Sequence, residues 1–424
     1  MKVWIVTIYE PLPFGDIRTR PQRCGMLAKA LIDRGHRVEL WTSAFDHVSH
    51  EHIYKESRLE DVGDRISIQF IKGCGYPDDH SLKRYFHNRQ TGREFLRLAN
   101  ERDELPDIIF APVPIPELAE AAVRFATQRN IPIIVDIRDL WPDVYLTMLP
   151  EVFHPLGKIL LYFEYRRAGF IFKNASCITA VSETYLKRGL DYAQRSPRIT
   201  DRTYPLGSMD TTNLSKTCSD DVAESILHKY NIDRDHFIVT YVGTFSRFID
   251  IQNILNAAEQ LLDKKDLRIF IVGTGEHGDA FANRAKRLPN VTMTGWLNAQ
   301  EVQAILERTK VGLAAYAKDA IMSLPNKPFE YMAAGIPLLS SLKGELEQLI
   351  QENNIGRNYE AGNPASLAKE IRWFYDNPHE VQLMGKRALE LFSTKFRSDI
   401  VYEDFSKYLE YVEEQTVERY ESNS

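Results

Sequence analysis

Phe237-Ile238-Val239-Thr240-Tyr241-Val242-Gly243 is the stretch on which the fold turns. Six apolar, aromatic or β-branched residues closed by a glycine read as a strand buried on both faces, the kind found inside a parallel sheet. It stands past the middle of the chain and opens a regular alternation. A helix is expected to follow to about Lys264, then a strand at Leu267–Val272 closed by Gly273-Thr274-Gly275, and one at Val291–Thr294 closed by Gly295. A helix at Ala299–Arg308 and strands at Val311–Ala315 and Ile336–Ser340 continue the series. Strand and helix in turn are the mark of an α/β sheet with helices on both faces.

The same alternation runs through the first half. Val3–Ile8 reads as a buried strand, Leu27 and Leu31 belong to a helix ending at Gly35, and Arg37–Thr42 is the next strand. Further strands are expected at Ile66–Ile71, Ile108–Ala111, Ile131–Asp136 and Cys177–Val181, with Ser182 capping a helix through Thr184–Leu190. The loop Glu10–Arg23 carries three prolines, Gly15, Arg18, Arg20 and Arg23. Its length after a first strand favours a functional loop, at the ligand edge of an open α/β sheet. The pattern weakens over Asp191–Asp235, which places a domain junction near Tyr204–Asp235. Two Rossmann-like halves result, and a cleft between such halves is the default ligand site.

Composition sets bounds. A chain of 424 residues, 44% hydrophobic and 26% charged, is long enough for two globular domains. A net charge of −6 gives no bulk attraction for nucleic acid. Cys24, Cys74, Cys177 and Cys218 lie far apart with no CxxC or histidine spacing, so reduced thiols and no metal site are expected. The first eight residues read as a strand rather than a signal core, and no run reaches membrane-spanning length. The expectation is a soluble or peripheral protein of a reducing compartment.

One short helix draws the most chemistry. In Pro325-Asn326-Lys327-Pro328-Phe329-Glu330-Tyr331-Met332-Ala333-Ala334-Gly335-Ile336-Pro337 the prolines suit a helix start and the Gly–x–Pro pair a stop. Lys327 and Glu330, three apart, sit on neighbouring faces. A cation at a helix N-terminus can hold an anion, and a carboxylate can grip sugar hydroxyls. A surface helix with one ion pair is the plain alternative. The glycines at 243, 273, 275 and 295 form no full dinucleotide fingerprint. Tight turns explain each singly. At successive strand ends they also let a phosphate or base approach the backbone.

Taken in order, the motifs resemble those of the GT-B glycosyltransferases of family 4, in particular the branch that builds bacterial surface polysaccharides. The resemblance rests on Arg34-Gly35-His36-Arg37-Val38, on Asp136-Ile137-Arg138-Asp139-Leu140-Trp141-Pro142-Asp143 and on Ala180-Val181-Ser182-Glu183. It continues through Pro205-Leu206-Gly207-Ser208-Met209-Asp210, Val242-Gly243-Thr244, Ile271–Gly275, Asn326–Pro337 and Gly344-Glu345. It implies an α/β GT-B fold, with two Rossmann-like domains facing across a cleft. The acceptor domain would cover 1–207, the donor domain 208–395, and a C-terminal helix over 396–424 would return to the first domain. The implied reaction is metal-independent transfer of a sugar, with retention, from a nucleoside diphosphate carrier (UDP foremost) to a saccharide or lipid-linked acceptor. No cofactor is implied beyond that donor substrate, and no nucleic-acid partner.

The resemblance also assigns roles. Glu330 would hold the ribose hydroxyls, Arg247 and Lys327 the diphosphate, and Gly15 the donor or acceptor. Gly243, Thr244, Gly273, Gly275 and Asn326 would line the nucleotide site, with Gly295-Trp296-Leu297 near the base. No protein nucleophile is agreed for such enzymes; Asp16, Arg138 and Asp139 are positional candidates. Two departures stand out. Met322 replaces a glutamate usual eight residues before Glu330, which suggests an amino or deoxy donor sugar. Arg138 stands where histidine is common; it would face sugar or phosphate, or else pair with Asp136 or Asp139. The resemblance also leaves open a nucleotide-sugar 2-epimerase and a non-catalytic sugar-nucleotide-binding subunit.

A long helix is expected from Leu156 to Lys173, with Leu156, Ile159, Leu160, Phe163, Phe170 and Ile171 on one stripe. Lys158, Arg166, Arg167 and Lys173 flank it. Core packing is the preferred reading of this stripe; peripheral contact with the inner face of a membrane, by a cytoplasmic protein, is the alternative.

Overall fold

The computed structural model describes residues 1–10, 22–78, 81–147, 149–208, 220–233 and 235–421. Gly15, Asp16, Arg18, Arg20, Met209 and Asp210 lie outside the described residues. Chain contacts separate two units, Met1–Pro205 with Val401–Ser424 and Leu206–Ile400.

The first unit holds the strands β1 (Lys2–Val6), β2 (Arg37–Ser43), β3 (Phe45–Asp46), β4 (Glu51–His52), β5 (Arg58–Gly63), β6 (Ile66–Ile71), β7 (Ile108–Pro112), β8 (Ile133–Ile137), β9 (Cys177–Ala180) and β10 (Arg202–Thr203). Eight form one sheet in the order β10-β9-β8-β7-β1-β2-β6-β5, parallel except for β5, while β3 and β4 make a small ribbon. The charged and mostly exposed β5 closes one edge, which discourages further pairing there. Both faces of β1 are buried. Val3 and Ile5 meet the helix Arg23–Asp33 and the C-terminal helix Ser398–Glu421, through Val401, Phe405 and Leu409. Trp4 points the other way, onto Trp41 at 4.6 Å and Phe125 at 5.6 Å between ring centroids. The period of two explains why β1 reads as an unbroken apolar run.

The second unit is a six-stranded parallel sheet: β11 (Phe237–Val242), β12 (Leu267–Val272), β13 (Val291–Gly295), β14 (Thr309–Ala314), β15 (Leu338–Ser340) and β16 (Gly356–Asn358). Its order, β13-β12-β11-β14-β15-β16, reverses between β11 and β14. Val239 and Tyr241 pack under the helices Ile251–Glu259 and Pro364–Asp376; Ile238 packs against Asp220–Lys229 and Ala299–Leu306. Both units are therefore Rossmann-like, as the alternation predicted. The strand–helix alternation fails to announce β5, β10 and β16, which are short or exposed. The expected helix over Leu156–Lys173 is two pieces, His154–Leu160 and Tyr162–Asn174, parted at Leu161.

Candidate functional site

Open α/β sheets bind ligands beyond the strand C-termini where the order reverses. In the second unit that point lies after Val242 of β11 and Ala314 of β14. The loop leaving β11 is stitched to its neighbours: Gly243 N donates to Val272 O at 2.8 Å, Gly273 N to Gly295 O at 2.9 Å, and Phe245 N to Thr274 O at 2.9 Å. The structure thus brings Gly243, Gly273, Gly275 and Gly295 together at adjoining strand ends. Gly273 has φ +132°, and a Cβ on it would collide with the Gly243 carbonyl. Backbone packing, rather than ligand approach, explains that glycine. Gly243 differs. With φ +145° it would aim a Cβ into Cε and Nζ of Lys327. The missing side chain is the space the lysine fills.

Lys327 reaches that space from the helix Asn326–Ala333, which starts after Pro325 and ends with Ala334 before Gly335 at φ +68°. Pro328, Phe329, Tyr331, Met332 and Ala333 bury the inner face, leaving Asn326 exposed and Lys327 and Glu330 half-buried. Tyr331 pins the helix under the point of reversal. Its hydroxyl accepts from Val242 N at 2.9 Å and lies 3.1 Å from Thr240 O. The Lys327 ammonium sits 5.6 Å from the centroid of the Tyr241 ring. Burial lowers its pKa, and the nearby Glu330 carboxylate opposes the shift. A half-buried cation at a strand end, one helical turn from a carboxylate, can bind an anion and a diol together.

The other expected donor-site residues are placed unevenly. Arg247 is exposed, 3.4 Å from Asp319 and 4.8 Å over the Phe248 ring. The loops carrying Arg247 and Asp319 are zipped by Ala317 N to Phe248 O at 2.8 Å and Asp250 N to Ala315 O at 3.2 Å. Thr244 is exposed, and its carbonyl accepts from the Tyr241 hydroxyl at 3.2 Å. Trp296 is 75% exposed, whereas Leu297 faces the core with Ile238 and Ile305. Met322 packs on the apolar cluster around Phe329 and Met332. Next to it the Ser323 hydroxyl is buried with no hydrogen-bond partner among the described residues.

In the first unit Arg138 and Asp139 follow β8 directly. Neither expected carboxylate pairs with Arg138. Its partner is Glu10, just past β1. Burial is the largest influence and works against the Arg138 charge, but Glu10, Cys24 and Asp136 together outweigh it and the pKa is raised. The second Glu10 oxygen accepts from Cys24 N at 2.9 Å, capping the helix Arg23–Asp33 that has no side-chain cap of its own. Asp136 is taken by Arg23 through two 2.8 Å bonds, with Thr179 Oγ1 donating to it at 2.7 Å. Arg23, expected among loop cations, is instead a fully buried structural residue. Asp139 is exposed. No local signal could have joined Glu10 to Arg138 across 128 positions.

Comparison with known proteins agrees with this architecture. Residues 236–377 match the family model described as glycosyl transferases group 1, and residues 21–198 match the glycosyl transferase 4-like domain. Together the two models span about three quarters of the chain. A 366-residue stretch is 22% identical to chitobiosyldiphosphodolichol beta-mannosyltransferase of Yarrowia lipolytica, covering 81% of this chain and 74% of that one. A 178-residue stretch is 21% identical to N-acetyl-alpha-D-glucosaminyl L-malate synthase of Bacillus anthracis, covering 42% of this chain and 46% of that one, less than half of either. Among solved structures, Anabaena HepE in complex with UDP superposes with a TM-score of 0.66 at 14% identity, over 97% of this chain and 100% of that chain.

Proposed function

This chain belongs to the group 1 glycosyltransferases, family 4, and on that premise we propose that it moves a sugar from a UDP carrier to a hydroxyl acceptor with retention of configuration. The observation that carries this reading is Lys327 lying against Gly243 at the sheet reversal, with Glu330 one turn along the same helix. Cleaving a sugar–diphosphate bond gathers negative charge on the departing phosphate. Lys327 holds that phosphate, and Arg247 approaches it from the next loop. Glu330 accepts the two ribose hydroxyls, and Trp296 lies against the base. Met322 puts a thioether where a carboxylate would read a sugar hydroxyl, so an amino or deoxy sugar fits best. In the first unit Arg138, oriented by Glu10, and Asp139 line the acceptor side.

The acceptor we infer is a saccharide or lipid-linked saccharide of surface polysaccharide or glycoconjugate synthesis, met in the cytoplasm at the inner membrane face. The dolichol-linked acceptor in the name of the Yarrowia relative supports the lipid-linked form.

The test is a thermal-shift panel of UDP-, GDP-, dTDP- and CMP-sugars, followed by product analysis. The UDP-sugar should raise the melting temperature by mass action, and Glu330→Ala should abolish both the shift and donor turnover. NMR of the product should show the donor's anomeric configuration. Inversion would refute retention; epimerised free nucleotide sugar without a glycoside would turn the reading to a 2-epimerase.

A further inference from the structure

The helices His154–Leu160 and Tyr162–Asn174 have two unlike faces. The inner face is firmly held. Ala168, Ile171 and Phe172 are buried. Arg167 bonds to Glu117 at 3.0 Å and Glu120 at 2.9 Å on the neighbouring helix Pro116–Arg129. Tyr165 donates to Asp143 at 2.6 Å. The outer face is the reverse of what core packing requires. Ile159 is 71% exposed, Leu160 73%, Phe163 75% and Val152 77%. Tyr145, Leu149, Phe153, Leu156 and Tyr162 are exposed with them. Nine of the twenty large apolar side chains exposed among the described residues thus fall within positions 145–163. Only Gly157 is buried in the His154–Leu160 helix. Exposed apolar side chains this concentrated along two successive helices mark a partner surface.

Its charge names the partner. The chain carries a net −6, yet over positions 139–173, the ridge with its flanks in sequence, the exposed charged residues are Lys158, Arg166 and Lys173 against Asp139 and Glu151. The acidic groups Asp143 and Glu164 are already tied to Arg188 and Arg167. An apolar ridge with aromatic side chains and a local excess of cations, on an otherwise acidic protein, suits an anionic lipid surface. A second copy of this chain would bring the same cations against themselves. No described helix is long and apolar enough to cross a membrane, so contact is in the plane of the interface.

We propose that the ridge from Tyr145 to Phe163 docks the protein on an anionic phospholipid bilayer. This extends the reading of a lipid-linked acceptor, but its test needs neither donor nor acceptor. Flotation of the full chain with phosphatidylcholine vesicles, with and without phosphatidylglycerol, measures it. Wild type should float with the anionic vesicles, and Ile159→Ser with Phe163→Ser should lower partitioning by about tenfold or more. Lys158→Glu with Arg166→Glu should remove the preference for phosphatidylglycerol. Both variants should keep the wild-type melting temperature, since the altered side chains are exposed, and Glu330→Ala should float as wild type does. Failure of wild type to float, or equal flotation of the Ile159/Phe163 variant, overturns the proposal. So does a dimer in sedimentation that the same two substitutions split, which would assign the ridge to self-association.

Discussion

Lys327 sits where its charge is costly alone and useful to an anion. Its pKa lies below the ordinary lysine value of 10.5, chiefly through burial. Between the lowered and ordinary values the unfolded chain binds more protons than the folded one, so this group makes stability rise with pH across that window. If Lys327 holds the donor phosphate as proposed, donor binding requires the ammonium and should fall over the same window, earlier than an ordinary lysine titrates. Calorimetric titration of UDP across alkaline pH should show that fall in wild type and not in Lys327→Met, which should bind about tenfold to a hundredfold more weakly below it. His87 behaves alike under acid. It is buried, accepts from Gly75 N at 3.0 Å, and its pKa is lowered to about 4, mainly by burial. The folded state keeps it neutral while the unfolded chain protonates below about 6.5, so stability present above that value is lost as pH falls toward about 4. Denaturation midpoints should therefore drop less in His87→Gln than in wild type over that range. Lys327 and Glu330 could be read from the sequence because both lie on one short helix bounded by proline and glycine. The partners Glu10–Arg138 and Arg23–Asp136 could not, because 128 and 113 positions separate them and only the sheet order brings them together.

At the scale of elements, the helix Asn326–Ala333 depends on Tyr331 more than on its own propensity. Eight residues make a marginal helix, and the Tyr331 hydroxyl bonded to β11 fixes where it starts. Tyr331→Phe leaves Val242 N–H and its surroundings short of a partner, so stability should fall by roughly 1–3 kcal/mol. Denaturant unfolding of the second unit measures this; an unchanged midpoint would show that the hydroxyl is dispensable. Gly273→Ala should cost more, because its Cβ has no space beside the Gly243 carbonyl. Periodicity located these elements but not their surroundings. The stripe from Leu156 to Phe163 was legible as a helical face, and its exposure was not, since a period of 3.6 is the same against a core or against solvent. The break at Leu161 carries no proline or glycine to announce it.

At the scale of the molecule, the first unit is completed by the far end of the chain. Phe405 stacks on Tyr204 at 4.1 Å, and Glu410 binds Arg34 at 2.6 Å and His36 at 2.6 Å. Val401, Tyr402, Phe405, Tyr408, Leu409 and Val412 belong to the core over β1 and β7. A chain ended after Ile400 should lose the cooperative transition of the first unit in calorimetry and keep that of the second, the unit that carries Lys327 and Glu330. The alternation of the sequence announces both sheets; the helical period of Val401, Phe405, Tyr408, Leu409 and Val412 announces an apolar face but not what it covers, because Val3, Ile5 and Phe110 lie far back in the chain. On the proposed function, the second unit binds a nucleoside diphosphate through these two side chains. Titration calorimetry of UDP into wild type, Lys327→Met and Glu330→Ala tests it most directly. Wild type should bind, and each variant should lose about tenfold or more in affinity. Equal affinity in all three, or no nucleotide binding to wild type, would contradict it.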